Sequence, residues 1–193
     1  DPGVSDTVLI HVGDGLDGLS AETTVNVGIG PISVTVGDFN NDGKQDIAIA
    51  NGGGTVSIRL GDGFGGFSGT TEVSVGSNPY SVAIGDFNND GKQDLATANV
   101  NASTVSIRLG DGLGGFSVTS DIGVGNNPSS IAIGDFNNDG KQDFAVASPL
   151  PARISIGMGD GLGGVSVTTN SGFEPFERLG IGDVTYNDLR CLS

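Results

Sequence analysis

Side chains that could hold a cation through oxygen recur at alternate positions in three places. In the segment Asp-Phe-Asn-Asn-Asp-Gly-Lys-Gln-Asp they are Asp38, Asn40, Asp42 and Asp46, then Asp86, Asn88, Asp90 and Asp94, then Asp135, Asn137, Asp139 and Asp143. A loop of this spacing can wrap its oxygens around one point, which is what a hard divalent cation requires. Calcium takes about six to eight oxygens at about 2.3 to 2.6 Å, whereas magnesium demands a stricter octahedron and keeps its waters. Gly43, Gly91 and Gly140 permit the sharp turn. The backbone carbonyls of Lys44, Lys92 and Lys141 are expected to fill the place between the third and last side chains. The expectation is calcium at three sites.

Asp, Asn and Gly are also good turn formers, so a single such loop would carry little weight. Three copies with one ligand order, each concentrating three carboxylates that repel unless neutralised, favour metal. An EF-hand begins in the same way but needs a bidentate Glu at its twelfth position, where this chain has Ile49, Thr97 and Val146. A fourth stretch, Gly-Asp-Val-Thr-Tyr-Asn-Asp, is shorter by three residues and offers Asp183, Thr185, Asn187 and Asp188. No calcium is expected there.

The elements that must position these loops follow from self-similarity. The string GDFNNDGKQD starts at Gly37, Gly85 and Gly134, at spacings of 48 and 49 residues. A second motif, G-D-G-x-x-G-x-S, starts at Gly13, Gly61, Gly110 and Gly159 with the same period. Within a unit, apolar and small residues alternate over 33–39, 46–51, 55–61 and 71–76, which predicts four short strands joined by glycine- and asparagine-rich hairpins. The 35 glycines lack the every-third spacing of collagen and suit tight turns. The fold class is all-β.

Four antiparallel strands in about 48 residues is the content of one propeller blade. A long β-solenoid is the runner-up, disfavoured because the units are too long for one coil. Residues 1–30 match strands three and four of a unit, and 178–193 match strands one and two: Leu-Gly-Ile-Gly-Asp-Val against Val-Ala-Ile-Gly-Asp-Phe, and Asn-Asp-Leu-Arg-Cys-Leu against Gln-Asp-Leu-Ala-Thr-Ala. The expected architecture is one propeller domain over 1–193 with four blades. Three lie at 31–78, 79–127 and 128–174, and the fourth is closed by both chain termini, 1–30 and 175–193. Closure of this kind removes exposed sheet edges.

The repeated Asp-Phe-Asn-Asn-Asp-Gly-Lys-Gln-Asp loops resemble those of the FG-GAP/VCBS repeat family, which includes the integrin α-chain propeller and many bacterial surface proteins. The resemblance covers nearly the whole chain. It implies that the matching Asp and Asn side chains bind calcium and that the domain serves adhesion, carbohydrate binding or surface architecture. Family propellers commonly have seven blades, whereas this chain accounts for four.

Composition narrows the partners. Eight Lys and Arg against 23 Asp and Glu give a net charge of -15, which repels nucleic-acid phosphates and anionic membrane surfaces and favours cations. No apolar run approaches the roughly 20 residues of a membrane helix, so no membrane insertion is expected. The chain opens at Asp1-Pro2 with neither Met nor a signal pattern and reads as a mature soluble product. Cys191, the only cysteine, reads as a small half-buried strand residue.

Catalytic constellations are not assembled, and the chain is expected not to be an enzyme. His11, the only histidine, takes the strand position held by Arg59, Arg108 and Gly157 in the other units, which reads as a surface stripe. The glycine runs lack a following helix and a Walker lysine, so they are hairpins and not phosphate loops. The repeated carboxylates are assigned to metal, leaving no distinct glycosidase pair.

The expected function is a non-catalytic extracellular or cell-surface module for adhesion or assembly, contacting proteins or copies of itself. Loops with a dissociation constant of about 0.1 mM stay empty at cytosolic calcium, hence the location. One alternative is a calcium-dependent, carbohydrate-binding lectin with a glycan partner. Against it, sugar sites use aromatic platforms, and the chain has no Trp and only Tyr80 and Tyr186. The other is a head-to-tail filament, formed if residues 1–30 pair with 178–193 of a neighbouring copy. Asn101-Ala102-Ser103 is a glycosylation sequon in a predicted turn.

Overall fold

The alternating pattern becomes fourteen strands in a computed structural model of the chain, which describes residues 6–13, 16, 18–149 and 152–170. A two-stranded sheet comes first, β1 (Asp6–Gly13) with β2 (Leu19–Val27). Three four-stranded sheets follow. They are β3 (Pro31–Gly37), β4 (Asp46–Asn51), β5 (Thr55–Gly61) and β6 (Phe67–Ser74); β7 (Pro79–Gly85), β8 (Asp94–Asn99), β9 (Thr104–Gly110) and β10 (Phe116–Gly123); and β11 (Ser130–Gly134), β12 (Asp143–Pro149), β13 (Ala152–Gly159) and β14 (Val165–Asn170). Each is an antiparallel meander in which sequential strands pair, and among the described residues the four sheets remain separate. The proposed closing strands at 175–193, the shorter loop with Asp183, Thr185, Asn187 and Asp188, and Tyr186 and Cys191 lie outside the described residues.

The core lies between sheets. Phe39, Ala48, Ala50, Val56 and Ile58 of one sheet enclose Val82 and Leu95 of the next, and Phe87, Ala96, Val105 and Ile107 in turn enclose Ile131, Phe144 and Val146. Val25 and Val27 of β2 pack on Ile47 and Ile49 of β4. The first strands meet one another, β3 against β7 and β7 against β11. Every residue of the central strands β4 and β8 is buried, polar ones included, because each strand has a neighbour on both edges and a sheet on its flanks.

Two expectations are corrected. The fourth strand of the first complete unit begins at Phe67 and not at Thr71; a register shift opposite Ile58 and Leu60, with Gly69 at φ 87°, lets it bend past the hairpin and keep pairing. Arg59 and Arg108 are not a surface stripe. Both are buried, because the flank of each sheet faces the outer strand of the preceding one. Arg59 Nε donates to the Asn26 carbonyl oxygen at 2.8 Å and its Nη2 to Glu72 at 2.6 Å. Arg108 repeats the tie to the Ser74 carbonyl at 2.8 Å and to Asp121 at 2.9 Å. His11, on the first sheet, stands half-exposed with Nε2 3.8 Å from Glu22. At Gly157 the Phe144 ring fills the space that a side chain would need.

Candidate metal centres

Each oxygen-rich loop joins the first and second strands of its sheet, and its path is set by two residues with positive φ. Asn41, Asn89 and Asn138 lie at 56°, 55° and 58°, and Gly43, Gly91 and Gly140 at 81°, 80° and 81°. These left-handed steps suit Asn and Gly and fold the loop's side chains back over its own amides. In the first loop Asp38 Oδ1 and Asn40 Oδ1 both accept from the Asp42 N–H at 3.1 Å. Asp38 Oδ2 accepts from Gly43 N at 2.9 Å and Asp42 Oδ1 from Lys44 N at 2.9 Å. The second loop repeats the pattern with Asp86, Asn88 and Asp90 at 2.8 to 3.2 Å, and the third with Asp135, Asn137 and Asp139 at 2.8 to 3.1 Å.

The structure therefore brings together the first three side chains of each expected set. The fourth is placed differently. Asp46, Asp94 and Asp143 are fully buried and point into the sheet. Asp46 Oδ2 accepts from Phe39 N and Oδ1 from Gly61 N, both at 2.8 Å. Asp94 does the same with Phe87 and Gly110 at 2.8 Å, and Asp143 with Phe136 and Gly159 at 2.9 Å. One carboxylate thus ties the loop to the end of the third strand. Sequence reasoning missed this clamp. Its signal was the glycine that opens the G-D-G-x-x-G hairpin of each complete unit: a Cβ on Gly61 would run into the Gln45 carbonyl oxygen.

Lys44, Lys92 and Lys141, expected to contribute carbonyls, bring their side chains as well. Their Nζ atoms stand 3.1, 3.0 and 3.6 Å from Asp42, Asp90 and Asp139. The Lys44 backbone N–H, then its ammonium, holds the Asp42 carboxyl below the usual carboxylate range; for Asp90 the Lys92 ammonium leads. Asp94 moves the other way, to about 6. Burial is the main cause, and the charges of Asp86 and Asp90 add to it against the lowering by the two backbone N–H groups.

Among the described residues no three acidic, His or Cys side chains form a ready-made metal cage. The donor set at each loop is instead mixed, a half-buried and an exposed carboxylate and a carboxamide above a buried carboxylate. All are oxygens, each with lone pairs beyond the one its N–H partner uses, and this chemistry fits a hard cation. Asp38, Asn40, Asp42 and Asp46, with their counterparts in the other two loops, would hold it. The ion would supply positive charge where the loop now offers backbone amides and a lysine.

Comparison with known proteins follows the same repeat. An FG-GAP-like repeat model matches residues 38–97 and 86–146, and an FG-GAP repeat model matches 127–167. No curated protein matches. Among solved structures, a functionally unknown protein from Desulfotomaculum acetoxidans is similar at 18% identity and a TM-score of 0.60, over 76% of this chain and 43% of that one. A second, BBS1N in complex with ARL6DN, aligns at 15% identity and a TM-score of 0.35, over 84% of this chain and 61% of that one. This chain thus spans less than two thirds of either. With three repeats matched by the family models across more than half its length, and each repeat built as one four-stranded antiparallel sheet, the chain belongs to the FG-GAP repeat family.

Proposed function

We propose that this chain is a non-catalytic, calcium-binding propeller module that works outside the cell in adhesion or structural assembly. The observation that carries the reading is the threefold repetition of one oxygen-lined loop with the same inward-turned side chains. Calcium would replace the lysine as counter-charge and relieve the repulsion that Asp86 and Asp90 exert on Asp94. Calorimetric titration of calcium into the chelator-stripped chain is expected to saturate at three equivalents, with Asp38→Ala, Asp86→Ala and Asp135→Ala each removing one. No uptake by the parent chain would end the calcium reading.

The proposal includes a fourth blade made from β1, β2 and residues 175–193. Its support is a pair of apolar faces at the two ends of the sheet series. Val34 on β3 is 57% exposed, whereas Val82, the same position in the next unit, is 6% exposed. At the other end Phe136 and Ile154 are exposed where Phe39 and Phe87, and Val56 and Val105, are buried. Strands from 175–193 would cover both faces. Supplied by the same chain they close a monomer; supplied by a neighbour they build a head-to-tail filament. Light scattering of the calcium-loaded chain is expected to give the monomer mass. Polymers that Val34→Asp disperses would establish the filament instead.

A further inference from the structure

The third connection of each unit, the G-D-G-x-x-G hairpin, contributes no oxygen to the candidate metal sites, yet its tip is unusual. Phe64, Leu113 and Leu162 are 91%, 80% and 81% exposed, and Leu16, their counterpart in the first sheet, is 85% exposed. One exposed apolar residue needs no explanation. A large apolar residue at the same apex in every unit does, since turn chemistry there would favour Asn, Asp or Ser. The tips are also held rigid. Asp62 Oδ1 accepts from the Phe64 N–H at 2.7 Å and from Gly66 N at 3.0 Å. Asp111 and Asp160 do the same for Leu113 and Leu162 at 2.7 Å, closing on Gly115 and Gly164 at 2.9 Å.

Tips and metal loops share one end of the molecule. In an antiparallel meander the first and third connections leave from the same end. The contacts agree: Gly114 N donates to the Phe39 carbonyl and Gly163 N to the Phe87 carbonyl, both at 3.0 Å, so the hairpins of the second and third complete units lean on the metal loop of the preceding unit. The Lys44, Lys92 and Lys141 stems lie along Gly63, Gly112 and Gly161 of the hairpins. This end therefore presents an oxygen-lined loop, a lysine and an apolar tip, repeated unit by unit.

We propose that this end docks on a phospholipid surface, with the apolar tips entering the headgroup boundary and the calcium-loaded loops meeting lipid phosphates. Separate convex tips would need a matching pocket for each on a protein partner, whereas a fluid interface accepts all of them at once. Charge sets the condition. At a net charge of -15 the bare chain is repelled by phosphate-bearing surfaces. An ion in each loop would offset the carboxylates that the lysine alone does not, and would have coordination positions left for phosphate oxygens, so the docking rests on the calcium reading above. The contact is peripheral, and no helix among the described residues is long and apolar enough to cross a membrane.

The test is flotation of the chain with vesicles of phosphatidylcholine and phosphatidylserine, in calcium and in chelator, with the melting temperature read on the same samples. The parent chain is expected to float in calcium and not in chelator. A Phe64→Ser, Leu113→Ser, Leu162→Ser variant is expected to lose binding by at least about tenfold, since each tip buries one large apolar side chain. Its calcium-dependent melting shift should stay intact, which separates loss of docking from loss of calcium. A calcium-responsive parent that does not float, or a triple variant that floats as well as the parent, would overturn the proposal.

Discussion

Stripping calcium from the chain is expected to lower its stability by about 5 kcal/mol. With free calcium of about 2 mM and a dissociation constant of about 0.1 mM, one site contributes about 1.8 kcal/mol by mass action, and the three proposed sites triple it. That sum is comparable with the whole stability of many domains. For a domain of this size it corresponds to a fall in melting temperature of about 10 to 20 °C. The structural reason is specific to the loops. Without an ion, Lys92, backbone amides and the Asn88 side chain offset Asp86 and Asp90, while Asp94 stays under their charge. Differential scanning calorimetry with calcium and with chelator measures the shift. Coincident transitions would mean that the amides and lysines suffice and that the loops are turns alone.

Much of the fold could be read from the sequence. The strands Asp46–Asn51 and Thr55–Gly61 stand where alternation and hairpin glycines put them, because strand period and turn chemistry are local. The first three oxygen side chains of each loop converge for the same reason. What escaped was long-range. The burial of Arg59 depends on the Asn26 carbonyl of the preceding sheet, which no local pattern reveals. A trace existed nonetheless: each buried arginine has its acidic partner thirteen residues on, Glu72 for Arg59 and Asp121 for Arg108. The inward turn of Asp46 escaped likewise, since both amides that claim it, Phe39 and Gly61, lie outside the alternating ligand pattern.

That inward turn makes Asp94→Asn the most damaging single change expected in the loops. Asp94 satisfies two buried N–H groups, Phe87 and Gly110, one with each oxygen. An asparagine keeps one acceptor and turns an NH2 group toward the other N–H. The variant loses a charge-assisted bond and strands a buried donor, together about 3 kcal/mol. The strand ends already approach closely there, since a Cβ added at Gly110 would run into the Gln93 carbonyl oxygen. Urea unfolding in chelator should show the loss, which distinguishes the clamp from a pure metal ligand. Asp86→Asn, changed on the exposed loop, should unfold near the parent in chelator and differ from it only in calcium. Acid adds a signed check. The folded pKa of Asp94, about 6, lies above its unfolded value of 3.8. Its protonation therefore stabilises the fold fully below 3.8, and that contribution is lost as pH rises through 6. The chelated parent should gain stability from this group between pH 7 and pH 5 while Asp94→Asn does not, so the gap between them should widen on acidification. A variant as stable as the parent in chelator would mean that the two amides find other acceptors and that Asp94 serves the metal alone.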